Sequence, residues 1–102
     1  MSQFPTVKTG TFTGTGSAIN ISLGFVPDYV CVANITDGDA TWQWWSGMDA
    51  GTAIKTTTAV ATLASNGIST YAGTTTAGEG FTVGTDVSES AKVHRYVAIR
   101  GG

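Results

Sequence analysis

Charge is what this chain lacks most. Asp, Glu, Lys and Arg together make up 12% of its 102 residues, against roughly a quarter in an ordinary soluble domain. Five are Lys or Arg and seven are Asp or Glu, for a formal net charge of -2. So few cations give no field for a phosphate backbone, which argues against a nucleic-acid partner. The one cysteine, Cys31, excludes an internal disulfide. Within Tyr29-Val30-Cys31-Val32-Ala33 it is expected to be a buried, inert thiol. No signal peptide and no apolar stretch near about 18 residues are present. The product is therefore expected to be made in a cytoplasm, to stay soluble and to have no membrane partner.

What the chain has instead is threonine, about a sixth of its residues, together with 14 glycines and 10% aromatics. That mixture suits β-structure, and it argues against disorder, which goes with low hydrophobicity and high net charge. Turn signals recur roughly every eight to twelve residues, the spacing of a sandwich or barrel. Strands are expected over Val7 to Thr13, Ser17 to Leu23, Tyr29 to Ile35 and Ala40 to Trp45. A looser segment from Ser46 to Lys55 follows, with at most one helical turn at Met48 to Ile54, and then a strand from Thr56 to Leu63. Asn66-Gly67 offers a turn before a short strand from Ile68 to Ala72, and Gly73 to Glu79 reads as a loop. Asp37-Gly38 is the clearest hairpin signal, because a type I′ turn needs positive φ at both central residues. The last strand alternates: Val93, Val97 and Ile99 share one face, and Lys92, His94, Tyr96 and Arg100 the other, which is read as outward. The whole is expected to be one all-β domain over residues 1–102, an antiparallel β-sandwich or jelly-roll of about seven or eight strands. Residues 1–6 could form an N-terminal arm.

Sheet edges recruit other chains unless Lys, Pro or bulges block them, and two prolines among so few charges give little blocking. Oligomerisation or docking on a larger partner is the economical cover. The alternative is protection within a monomer by loops and glycine bulges.

Chemistry is scarce. His94 is the only histidine, on a strand face beside Lys92 and Tyr96, and a triad would need Ser and Asp from distant loops. No G-x-S-x-G is present, and no enzyme activity, cofactor or catalytic residue is expected. The glycines from Gly78 to Gly84 lack the spacing and the following helix of a phosphate loop. Asn20-Ile21-Ser22 and Asn34-Ile35-Thr36 match a glycosylation sequon, with no secretion signal to make use of them. Asp37, Asp39, Asp49 and Asp86 could assemble a calcium site across loops, but Asp-Gly-Asp is also what a tight hairpin uses, so no metal ligand is assigned. Trp42 and Trp44 alternate with Gln43 and Trp45, so both faces of that strand carry an indole. These rings can build the core, a subunit interface or a carbohydrate platform.

The phrases Gly24-Phe25-Val26-Pro27-Asp28-Tyr29-Val30, Gly80-Phe81-Thr82-Val83-Gly84-Thr85-Asp86 and Tyr96-Val97-Ala98-Ile99-Arg100 resemble small structural proteins of tailed bacteriophages. The family comprises head decoration proteins and segments of tail fibres. The resemblance spans most of the chain in short phrases, and the absence of a long repetitive shaft tilts it towards the capsid. It implies a non-enzymatic decoration protein on the capsid surface of a virion, a β-sandwich or β-tulip that binds the expanded shell. The partners it implies are the major capsid protein and copies of the chain itself, commonly as a homotrimer. The alternative is a tail or fibre-associated module that contacts a bacterial surface glycan. Interface candidates are Trp42, Trp44, Trp45, Phe4 and Tyr96.

Overall fold

The fold is seen in a computed structural model that describes residues 6–75 and 78–101. Eight strands follow one another: β1 (Thr6–Thr13), β2 (Ile19–Ser22), β3 (Tyr29–Asn34), β4 (Thr41–Trp45), β5 (Thr52–Thr56), β6 (Val60–Tyr71), β7 (Gly80–Val83) and β8 (Val93–Arg100). The described residues contain no helix. All neighbours are antiparallel, in the single order β1-β8-β3-β4-β5-β6-β7-β2. The sheet curls so that its two halves face each other. Phe81 on β7 meets Tyr96 on β8 edge to face across the core, with centroids 5.3 Å apart, although four strands stand between β8 and β7 in the order of the sheet. The all-β sandwich-like architecture and the strand number agree with the sequence.

Alternation explains the core. Val30 and Val32 of β3, Trp42 and Trp44 of β4, Ala53 of β5, Phe81 and Val83 of β7 and Ala98 of β8 all point inward. β3 is therefore half-buried on its other face, and Cys31 lies there, a free thiol that is partly exposed rather than buried. The segment 84–92 between β7 and β8 plugs one end with Val87 and Ser88, both fully buried. Asp86 fastens it to β4 and β5: its Oδ2 accepts the Trp42 indole N–H at 2.9 Å and pairs with Lys55 Nζ at 2.9 Å.

Several expectations need correction. On β8 the inward face carries His94, Tyr96 and Ala98, while Val93 is exposed and Val97 and Ile99 are half-buried. The reason lies in β1, whose register sets Phe12 opposite His94 and Gly10 opposite Tyr96. Phe12 stacks on the imidazole at 4.9 Å, and the Tyr96 hydroxyl occupies the space a Cβ on Gly10 would need, 2.7 Å away. Asp37-Gly38 is not a two-residue turn either: Gly38 has φ 70° but Asp37 is not in the positive-φ region. Asn34 shapes a longer loop, residues 35–40, by accepting the N–H groups of Thr36 and Asp37 at 3.0 and 2.9 Å on its side-chain oxygen.

The threonine run also differs from expectation. β5 takes up the end of the loose segment, Thr52 to Lys55, together with Thr56, and Thr57 to Ala59 make a turn within the expected Thr56 to Leu63 strand. Propensity alone favours Thr in a strand, but the reversal between β5 and β6 must occur there, and these residues are exposed. Asn66-Gly67 does not end a strand. β6 bends through it, with Leu63 opposite Ala53 and then Ile68 opposite Thr52, and Asn66 takes φ 60° at the irregularity. The proposed arm, residues 1–6, lies outside the described residues except for Thr6, which already belongs to β1, and Thr76 and Ala77 of the Gly73 to Glu79 loop also lie outside them.

Burial raises the ionisation of the Tyr96 hydroxyl above the usual tyrosine value. The folded chain thus favours the neutral phenol, so its contribution to stability is complete below the unfolded value of about 10 and is lost as pH rises towards the raised one. Thermal unfolding followed from about pH 9 upward should show Tm falling, and Tyr96→Phe should fall less steeply. Parallel pH profiles for the two proteins would exclude Tyr96 as a source of the loss.

Candidate functional site

The outer face of β1, β8, β3 and β4 is the most distinctive surface. Register places Val7 opposite Ile99, Ile99 opposite Tyr29, and Tyr29 opposite Trp45, so four large apolar or aromatic residues form one row across four strands. A second row runs Thr9, Val97, Cys31, Gln43 and Ile54. Neither row holds a charged residue, and the nearest on this face is Arg95 in the third row, between Thr11 and Ala33. Val7 is 56% exposed and Trp45 43% exposed, which marks the two ends of the first row as open to solvent.

The Trp45 end of the row is organised. The Tyr29 and Trp45 rings lie 5.2 Å apart and inclined by 51°, and the Gln43 side-chain amide donates to the Tyr29 hydroxyl at 2.8 Å. Burial pushes the Tyr29 pKa above the usual tyrosine value, the Gln43 bond opposes that, and Cys31 beside it reinforces it. The phenol is thus fixed in position and neutral near physiological pH. Trp45 is braced from behind, where Met48 Sδ lies 3.3 Å from its backbone nitrogen. A rigid, uncharged, partly aromatic strip beside an open strand edge fits a partner surface better than it fits solvent.

The expected interface residues separate cleanly. Trp45 is on this face. Trp42 is fully buried and Trp44 and Tyr96 nearly so, which makes them core residues that present no surface to a partner in this fold. Phe4 lies outside the described residues. Val7, Tyr29 and Ile99 were not singled out from the sequence, and only the cross-strand register could have joined them. His94 is buried inside, with neither ring nitrogen hydrogen-bonded among the described residues. Of the four loop aspartates, Asp37 and Asp39 lie together with Glu89, Asp86 is engaged by Trp42 and Lys55, and Asp49 lies apart from them, its carbonyl accepting the Trp44 indole N–H at 3.2 Å. A shallow groove of about 230 Å³ along the β5–β6 hairpin is lined by Lys55, Thr57, Ala59, Ala61, Thr62 and Leu63. It offers one charge and no nucleophile beyond threonine hydroxyls.

No protein-family model matches the chain, and no curated protein and no solved structure does.

Proposed function

We propose that this chain is a non-enzymatic structural protein of a virus particle, a decoration protein that docks on the assembled head through the outer face of β1, β8, β3 and β4. The observation that carries the reading is the uncharged row Val7, Ile99, Tyr29 and Trp45, exposed at both ends and flush with the free edge of β1. A buried aromatic anchor with rigid neighbours is the usual centre of a protein interface. Such a protein stabilises the expanded shell by the free energy with which it binds that shell and not its precursor. Many copies multiply a modest effect at each site. The resemblance of short phrases to phage structural proteins supports the same reading, and copies of the chain and the major capsid protein are its proposed partners.

The test is a count. Hundreds of copies of the chain in each purified particle are expected, a few to tens would indicate a tail part that reads a surface glycan, and none would remove the reading altogether. Trp45→Asp should lower occupancy at least tenfold at fixed protein concentration, because it puts a charge into an otherwise uncharged contact. The isolated variant should keep its Tm within a few degrees, since the ring is exposed. Full occupancy by the variant would place the contact elsewhere. Retention should depend only weakly on salt, since the face is uncharged.

A further inference from the structure

The loop 35–40 and the plug 84–92 bring Asp37, Asp39 and Glu89 together, with one carboxylate oxygen from each within 4.8 Å of the others. Partners already present balance this group only in part. Lys92 Nζ lies 3.3 Å from Asp37 Oδ1, and the Asn34 amide donates to Glu89 Oε1 at 2.7 Å and to Asp37 Oδ2 at 3.4 Å. Asp39 is exposed and makes no hydrogen bond or ion pair among the described residues. Three carboxylates therefore face one ammonium, and like charges this close repel unless something positive lies between them.

An independent feature points into the same place. His94 is fully buried and neither ring nitrogen has a hydrogen-bond partner among the described residues, whereas the buried side chains of Asn34 and Ser88 are both bonded. Its Nε2 is aimed at Glu89 Oε1 from behind, 3.6 Å away, just beyond hydrogen-bond reach. Phe12, stacked on the ring, and Trp42, inclined at 5.9 Å, prevent the imidazole from turning elsewhere. A buried nitrogen left unpaired behind a carboxylate is costly unless that carboxylate closes on it. Carboxylates that hold a metal are commonly fixed by such a second contact.

We infer that Asp37, Asp39 and Glu89 bind a divalent cation of the calcium class, with His94 positioning Glu89 from inside. The donors are all oxygens, and a calcium ion that binds oxygens at about 2.3–2.6 Å spans a group of this size, with water filling the open side. Lys92 occupies the anionic loop when the ion is away and yields Asp37 when it arrives. With one carboxylate oxygen on the ion, Glu89 turns the other to Nε2 behind it, and the imidazole gains its missing bond. The ion ties the β3–β4 loop to the plug between β7 and β8, two segments far apart in the chain.

Calcium titration of the whole chain, by calorimetry and by Tm, is the test. Binding is expected with Kd of about 0.1–1 mM, the range of exposed modules. At ten times Kd the folded-to-unfolded ratio should rise about tenfold. The only imidazole in the chain should change its NMR signature over the same titration. Asp39→Asn should keep the fold, since that side chain has no bonds to lose, and should weaken binding at least tenfold. Three results would each overturn the proposal: no Tm shift with calcium, the same shift from sodium chloride at matched ionic strength, or an undiminished shift in Asp39→Asn.

Discussion

Replacing Trp42 with Ala is expected to cost about 3–5 kcal/mol, the range for emptying a large aromatic site in a packed core. The ring is the largest fully buried side chain among the described residues. It also carries the bond to Asp86 at 2.9 Å and lies beneath Lys55 Nζ, 5.4 Å from the ring centroid. A domain of this size has about 5–15 kcal/mol in total, so the variant should retain little margin at 37 °C. Asp86 would still pair with Lys55, so the loss is mainly packing together with one neutral donor. Urea unfolding followed by circular dichroism measures it without relying on the fluorophore removed. A cost below about 1.5 kcal/mol would mean the site collapses around the gap more easily than its neighbours suggest.

Gly14→Ala is expected to be nearly as damaging by the opposite mechanism. A Cβ at Gly14 would run into the backbone of Glu89, whose nitrogen lies 2.7 Å from the position and whose carbonyl is nearer still. Nothing flexible is available to move aside. Gly14 also donates to the Lys92 carbonyl at 2.9 Å and accepts from the Ala91 N–H at 3.0 Å, so displacement would break two backbone bonds that hold the plug. Overpacking of this kind costs about 1–3 kcal/mol, here at the upper end. That corresponds to a Tm lowered by about 10–20 °C. Gly78→Ala, at an exposed position with no atom of the described residues within 4 Å of the new carbon, is the control and should change Tm little. Equal effects at the two glycines would remove steric contact as the cause. The same displacement would carry Glu89 away from Asp37 and Asp39, so calcium binding should weaken in Gly14→Ala as well.

The β3 and β4 segments were legible in the sequence as strands, and alternation put Trp42 and Trp44 on one face; that this face is the buried one was not legible, because Trp45 and the apolar residues of β3 leave both faces able to be covered. β8 was legible as a strand but not in its orientation. Both of its faces carry apolar residues, and what turned His94 and Tyr96 inward was the small and flat surface offered by Gly10 and Phe12 on a strand more than eighty residues earlier. Local alternation holds no record of that. The same holds for the outer row, since Val7 and Trp45 look like scattered surface residues until β8 and β3 are placed between them. The acidic group was half visible, as Asp37 and Asp39. Glu89 was not, because only the fold of the 84–92 segment brings it to the loop.

The order of the sheet has a kinetic consequence. β1 and β2 are successive in the chain yet stand at opposite rims, and the sole partner of β1 is β8. No nascent chain that stops short of β8 can pair β1, so the sheet is completed only after that strand leaves the ribosome. Folding dominated by such distant pairings proceeds in milliseconds to seconds rather than microseconds. During that interval the Thr-rich first strand waits unpaired, exposed to whatever sheet edge a neighbouring chain presents.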